Sequence, residues 1–536
     1  MTELAERNAA RGRLGRGPLL FLLSLYAAHI ALIVAYGHAR PQRMRIAGID
    51  PVAYYSYFHS LWFDHDLSFQ NQFDLLGGGF MPDNKTPKGL AANHSSIGPA
   101  LALAPFWIAA DGIARLGGWP ADGASAPYHM AGFIGLAVYG LAALLLMGLF
   151  CARQFGSWPG AWAAATAWGA GPLLYYSFPI TVMPHAIGTA LAALFLLACM
   201  PSQASAKRAG LIAGLAMGLA MLGRWQNLLF AAYPAALSIE RLLSSQGRKE
   251  ALRREAGYWL LFALGAILAF SPQMIAWQLL FGTFLTRPQG EGYLLFSRPE
   301  IVKMLFSTHN GLFAWTPAMA VGAAGLLFVR RPLRAAAAGL GAALLLQTYL
   351  NSICLDWHGA WGFSIRRFTE SAPIFAFGFG ALAVRFAWRN WRRILAAAAS
   401  LAILWNELFV FQYTMHLVSW DQPLTAHEML GDKLHLRTSW ARKWLIDSAV
   451  LNFKEGDIES AFQILQDAYI IDPKHDDIAI AFGQMHYALG DYNAAALNFI
   501  TALELRPGQG RVERYLEQTY EAARLSAIGQ KPPPLQ

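Results

Sequence analysis

The sequence is short of charge. Lys, Arg, Asp and Glu make up 14% of its 536 residues, against roughly 25% in an ordinary soluble domain. That deficit excludes a soluble protein, and a hydrophobic share of 55% excludes a disordered chain, which needs low hydrophobicity. Cysteine is scarce as well. Cys151, Cys199 and Cys354 are the whole supply, too few for a disulfide framework. There is no Gly-x-x-x-x-Gly-Lys loop, so a P-loop ATPase is excluded. No Cys–His ligand spacing and no His-Glu-x-x-His helix is present, so a zinc enzyme of those types is excluded. The net charge of +9 is no nucleic-acid signal, and no nucleic-acid partner is expected. It is what Arg-rich loops between apolar runs produce.

Apolar runs are abundant, and 18 Trp, 33 Phe and 19 Tyr suit long contact with lipid and its interface. Runs near 18–36, 128–150, 158–173, 185–200, 209–223, 226–240, 257–281, 311–329, 335–350, 372–388 and 394–412 predict eleven membrane-spanning helices. Another run, 98–116, holds Pro99, Pro105, Asp111 and Arg115. Charge decides its placement. Basic clusters stand at Arg7 to Arg16, Lys207–Arg208, Arg241 to Arg254, Arg330 to Arg334 and Arg385 to Arg393. All fall on the cytoplasmic side with the N-terminus if 98–116 lies along the surface instead of crossing. The expected fold is therefore an all-α polytopic bundle over residues 1–412, in the bacterial inner membrane. Run 18–36 is a full-length anchor without a small-residue cleavage pattern, so no removable signal peptide is expected. The loops 37–127, 174–184, 224–226, 282–310 and 351–371, and all residues after 412, then share the extracytoplasmic side.

Beyond residue 412 a repeat emerges. Gly456–Asp457 recurs at Gly490–Asp491, Ala461 at Ala495 and Pro473 at Pro507, each at a shift of 34. This pattern resembles the tetratricopeptide repeat, a helical hairpin that buries its apolar side on the next unit. Residues 413–441 are read as a linker, 442–526 as repeats suited to a protein or peptide partner, and 527–536 as a disordered tail.

The polar residues concentrate in the extracytoplasmic loops. In the first, Asp50-Pro51 opens a helix with Tyr54, Tyr55, Phe58, Leu61 and Trp62 on one face. Asp is a good N-cap with Pro in the first turn, and a carboxylate at the membrane boundary also suits a general base. Asp64 and Asp66 suit a supporting role, a divalent cation such as Mg or Mn, or a solvated turn. His94 and His185 are candidates for substrate contact. Arg224, beside Gln226, suits phosphate, and is equally an interfacial anchor. His309 and Asn310 open the span after the fourth loop. His358, Arg366 and Arg367 close the fifth, and the two arginines break the inside bias, which points to an anionic ligand.

The first-loop pattern Asp50-Pro51-Val52-Ala53-Tyr54-Tyr55, then Asp64-His65-Asp66-Leu67, then Ser96-Ile97-Gly98-Pro99-Ala100-Leu101, resembles the GT-C glycosyltransferases, among them the protein mannosyltransferases and aminoarabinose transferases. The run Ser307 to Pro317 is similar to a segment of the bacterial members. The resemblance implies transfer of a sugar from a polyprenyl-phosphate donor to a lipid, glycan or protein acceptor on the outer face. Asp50, Asp64 and Asp66 would be catalytic, and Arg224, Arg366 and Arg367 would bind the donor phosphate. Tyr54, Tyr55, His94, His185, Gln226, His309, Asn310 and His358 would bind substrate. No cofactor is required beyond a possible divalent cation. An O-antigen-type ligase or polymerase and a lipid or sugar transporter or flippase stand as the alternatives.

Overall fold

The computed structural model describes residues 13–39, 44–77, 85–177, 182–201, 204–290, 292–359, 362–386, 389–419 and 422–535. The described residues are all-α, with two isolated β-bridges and no strand. The chain divides into two units, 1–407 and 408–536.

The main helices of the first unit are α1 (Arg16–Ala39), α2 (Ile49–His59), α3 (Gly98–Gly117), α4 (Ala126–Phe155), α5 (Ser157–Gly169), α6 (His185–Ala198), α7 (Ala206–Gly223), α8 (Ala232–Ser244), α9 (Arg248–Phe281), α10 (Ala318–Gly325), α11 (Arg334–Ser352), α12 (Ala372–Arg385) and α13 (Arg389–Thr414), the last running across the boundary. Among the described residues, helix covers most of each of the eleven expected runs, with breaks at 170–172 and 316–317. Six helices have the length and apolarity to cross a bilayer, α3 among them. Several of the others are 13 or 14 residues long, only ~20 Å at 1.5 Å per residue. Two of these are lengthened by 3₁₀ turns, Trp225–Ala231 before α8 and Arg366–Ser371 before α12. Irregular backbone at membrane depth survives only inside protein or beside a polar cavity.

Packing explains how α3 sits. It runs antiparallel to the first half of α4: Tyr128 Oη donates to Asp111 Oδ1 (2.6 Å) and Tyr139 Oη donates to the Ala102 carbonyl (3.1 Å). Its first residue, Gly98, lies against the Leu222 carbonyl at the end of α7, where a Cβ has no room. Ile97 N donates to Gln273 Oε1 on α9 (2.8 Å). So α3 starts level with the end of α7 and runs on alongside α4.

A stripe of Gly210, Gly214 and Gly218 brings α7 onto α9. A Cβ at each would meet the carbonyls of Tyr258, Phe262 and Ala266, the close approach that small residues permit between membrane helices. The opposite side of α9 exposes Leu260, Leu264, Ile267, Leu268, Ile275 and Leu279, a face for lipid. Inside the bundle, His29 of α1 lies 3.4 Å from Glu407 of α13, so the spans are not wholly uncharged. Asn406 donates to the carbonyls of Gly169 and Gly171 (2.9 and 3.0 Å).

In the second unit, α14 (Leu436–Glu455) pairs with α15 (Ile458–Ile471), α16 (Asp476–Ala488) pairs with α17 (Tyr492–Leu505), and α18 (Gly510–Ala527) follows. Gly456 (φ +90°) and Gly490 (φ +80°) make the two inter-helix turns, a backbone region L-residues avoid. Asp457 and Asp491 cap α15 and α17 by accepting from Ser460 N and Ala494 N (both 3.1 Å). Two expectations change here. Residues 422–434, read as linker, are built into the unit, because Glu428 pairs with Arg506 and Asp432 with Arg442. The tail is not loose: Tyr487 Oη donates to the Pro533 carbonyl (2.9 Å) and Leu535 packs against the core of α16 to α18.

Candidate active site

Gly48 (φ +88°) turns the chain into α2 and holds the N-cap position itself. The sequence reading put Asp50 there. Its carboxylate instead leaves the helix start and accepts from Arg366 Nη1, 316 residues away. Asn93 then stitches the next segment to α2 by donating to the Ala53 carbonyl (2.8 Å), and Tyr57 Oη donates to the Ser95 carbonyl (3.2 Å). That brings His94 and Ser95 beside Asp50 and Tyr54.

The other wall comes from helix ends. Arg224 follows α7, His185 opens α6, and Arg366 and Arg367 stand in the 3₁₀ turn before α12. Together Asp50, Tyr54, His94, His185, Arg224, Arg366 and Arg367 line a cavity of about 340 Å³, joined by Ser95, Met183, Pro184, Gln289, Tyr293 and Asp356. Arg367 Nη2 lies 2.6 Å from Asp356 Oδ1 and donates to Tyr293 Oη (2.8 Å). Arg366 and Arg367 thus each meet a cavity carboxylate, and Arg224 lies 3.6 Å from the buried Glu370. A smaller cavity of about 100 Å³ adjoins it, sharing Arg224, Gln289, Tyr293 and Arg367 and adding Gln226 and Arg287 without a carboxylate. Turned so that its oxygen faces Arg224, the Gln226 amide accepts from Nη2 (2.7 Å) and Nε (3.1 Å).

These partners set the charge states. Burial pushes the Asp50 carboxyl up, but Arg366, by charge and hydrogen bond, with Arg224 and His185 behind it, holds it below the usual carboxylate range. Burial acts on Asp356 in the same sense and Arg367 overrides it. Both are ionised at neutral pH. Tyr54 is pushed up to about 12, by burial first and then by Asp50, so it stays a hydrogen-bond donor. Burial lowers His94, with Asp50 opposing.

Several expected site residues lie elsewhere. Asp66 Oδ1 accepts from Ser60 Oγ (2.6 Å) and Ser68 N (3.0 Å), and Asp64 accepts from Asn71 Nδ2 (3.0 Å) and from Gln72. Both carboxylates are consumed in pinning the turn after α2, so they do not serve the cavity. Tyr55 Oη donates to the Gly123 carbonyl (2.5 Å) and its ring packs on Trp107. His309 stacks on His358 with centroids 4.5 Å apart, and Asn310 Nδ2 donates to the His358 carbonyl (3.1 Å). These three form a loop clasp and do not line the cavity. The donor set does not fit a divalent cation either. Each cavity carboxylate is already matched to an arginine, and cations seek oxygen ligands free of such partners. The group of His475, Asp476 and Asp477, close enough to share an ion, belongs to the second unit.

The sequence reading missed Glu370. It is 1% exposed, with Oε1 2.9 Å from His185 Nδ1 and 3.6 Å from Arg224 Nε. An acid at the end of the fifth polar loop, two residues before the run at 372–388, was the available signal. Asp356 and Tyr293 were visible as loop polar groups but had no assigned role.

No protein-family model matches the chain, and no curated protein does. Among the solved structures that resemble it are two of ArnT from Cupriavidus metallidurans, one in the apo state and one bound to undecaprenyl phosphate. Each is 14% identical over 88% of this chain; they are covered to 80% and 79%, with TM-scores of 0.43 and 0.45.

Proposed function

We propose that the protein is an integral-membrane glycosyltransferase that moves a sugar from a polyprenyl-phosphate donor to an acceptor hydroxyl on the extracytoplasmic face. The observation that carries this reading is the meeting of Asp50 with Arg366, beside Arg224 and Arg367, in one polar cavity. A phosphate bridged by guanidiniums is a strong, geometrically specific contact. It also gives the leaving group a home, since the anion formed as the sugar–phosphate bond breaks is stabilised where it develops. A phosphate engaging Arg366 competes with Asp50 for that guanidinium, and the released carboxylate becomes the base for the acceptor O–H.

The helix directions support that face. α7, α11 and α9 begin at basic clusters, and α12 ends at one. Their other ends supply Arg224 and Arg366, or lie beside the cavity loops. Basic ends taken as cytoplasmic favour the cavity on the opposite side. In this reading α3 is juxtamembrane and the second unit is extracytoplasmic, its helical hairpins offering a surface to a protein or peptide partner. The sugar and the class of acceptor are left open.

The test is transfer from a panel of polyprenyl-phosphate sugars by purified wild type and Asp50→Asn in lipid nanodiscs. Wild type is expected to turn over. The variant is expected to lose about 10²- to 10⁴-fold in rate while still binding the donor lipid. A fully active Asp50→Asn removes the base assignment, and a wild type that neither binds nor consumes any such lipid removes the function.

A further inference from the structure

Glycosyl transfer of this kind changes the charge of the phosphate. A phosphodiester donor carries one negative charge. The monoester left behind carries close to two, its second pKa being ~6. One proton also leaves the acceptor hydroxyl. The cavity therefore has to hold two ligands that differ by a charge and a proton.

His185 stands where that difference is felt. Its Nδ1 is 2.9 Å from Glu370 Oε1, with the side chains 1% and 2% exposed. Glu370 Oε2 is buried without a hydrogen-bond partner, and Oε1 meets His185 and, at 3.6 Å, Arg224 Nε. Gly188, one turn along α6, makes the room: a Cβ there would lie 3.0 Å from Glu370 Cγ and Oε1. An ionised carboxylate only accepts, so Nδ1 carries the hydrogen and Nε2 is left with a lone pair. Arg224 Nη1, 3.2 Å from Nδ1 and 3.5 Å from Nε2, therefore has Nε2 as its possible acceptor. The groups facing the ring come from every neighbouring element. Burial opposes a proton on it most, Glu370 and Asp50 favour one, and Arg224 and Arg366 add to the opposition. Tyr176 packs on it at 4.5 Å between centroids, and Tyr54, His94, Asp356 and Arg367 line the same space. A second phosphate charge tips this balance toward the proton and draws the arginines to itself.

We propose that His185, positioned by Glu370, binds a proton at Nε2 when a phosphate monoester dianion occupies the cavity and donates that N–H to a phosphate oxygen, so that the site tells the product monoester from the donor diester. The inference rests on the function proposed above. The chemistry balances without a further reactant. The acceptor O–H bond breaks and its oxygen bonds to the anomeric carbon. The carbon–oxygen bond to phosphate breaks with its electron pair going to phosphate. One proton is released and one is taken up at Nε2.

The experiment measures the affinity of the full-length protein in nanodiscs for a polyprenyl phosphate, and for its methyl diester, between pH 6.5 and 8.5. Wild type should lose affinity for the monoester as pH rises, approaching roughly tenfold per pH unit for one linked proton, and bind the diester with little pH dependence. His185→Gln should flatten the monoester curve to the slope of the lipid's own titration. Glu370→Gln should do the same, and Glu370→Asp should restore part of the slope. A merely structural role would weaken both lipids alike without changing either slope. Equal slopes in wild type and His185→Gln overturn the proposal. Absence of binding of either lipid at any pH overturns the transfer reading, and this inference with it.

Discussion

Both units of the chain bury arginine–carboxylate pairs, and they use them differently. In the second unit Arg442 is 2% exposed between Asp472 and Asp432, and Arg506 is 8% exposed between Glu428 and Asp476. These pairs close helices onto one another. In the first unit Arg366 and Arg367 are also well buried, but their partners Asp50 and Asp356 keep about 30% of their side chains open to a cavity. A sealed pair is a fastener, because any exchange of partner strands a charge out of water. A pair with one open side can trade its carboxylate for a ligand anion.

Substitutions that separate these two uses give the sharpest contrast. The largest effect on activity is expected at the open pair. Arg366→Ala should cut transfer by 10²-fold or more, on the order of one lost transition-state donor, and Arg366→Lys should recover part of it, since a point charge lacks the planar fork; radiolabel transfer assays read both. The same change should lower thermal stability little, because Asp50 stays hydrated. The largest effect on stability is expected at the sealed pair. Arg442→Ala leaves Asp472 without its arginine and the buried Asp432 with only the exposed His427, and should cost ~3–5 kcal/mol, seen as early melting of the second unit, while donor-lipid affinity is unchanged. Similar stability losses for Arg366→Ala and Arg442→Ala would break the comparison.

Acid should part the units more gently. The Asp50 and Asp356 carboxyls are depressed in the folded state, so their contribution to stability is complete above the ordinary carboxylate range near ~4. It fades as pH falls through their lowered values. Asp432 is raised instead, by burial first, so ionising it opposes folding and its contribution should improve as pH falls toward its ordinary range, while Asp457 and Asp477, both lowered, act in the opposite sense. Melting of each unit between pH 7 and 3, followed by hydrogen exchange, checks both signs. The smallest effect is local: Asp491→Ala removes the cap on α17 and should cost ~1 kcal/mol with no change in lipid binding.

Much of the candidate site was legible because charge is expensive beside a membrane. Asp50, Arg224, Arg366 and Arg367 stood out as polar groups on the side away from the basic clusters. Asp64 and Asp66 stood out by the same rule and proved to be consumed by Ser60, Asn71 and Gln72. Sequence spacing could not report that, since a carboxylate's role depends on which donors fold against it. Asp50 itself looked like a cap, and Gly48 holds that position. Glu370 stayed hidden at the end of the fifth loop because its partners, His185 and Arg224, are more than 140 residues earlier in the chain.

Composition and the spacing of apolar runs determined that this chain is a helical membrane protein with a 34-residue repeat at its end. Those are properties of local burial, which each segment meets with its own residues. Folding decided which charges meet. Asp50 finds Arg366 across 316 residues, and α3 lies beside α4 from a start fixed by one glycine against the end of α7. Pairings of that kind depend on how helix ends converge in space, and the order of residues along the chain does not encode them locally.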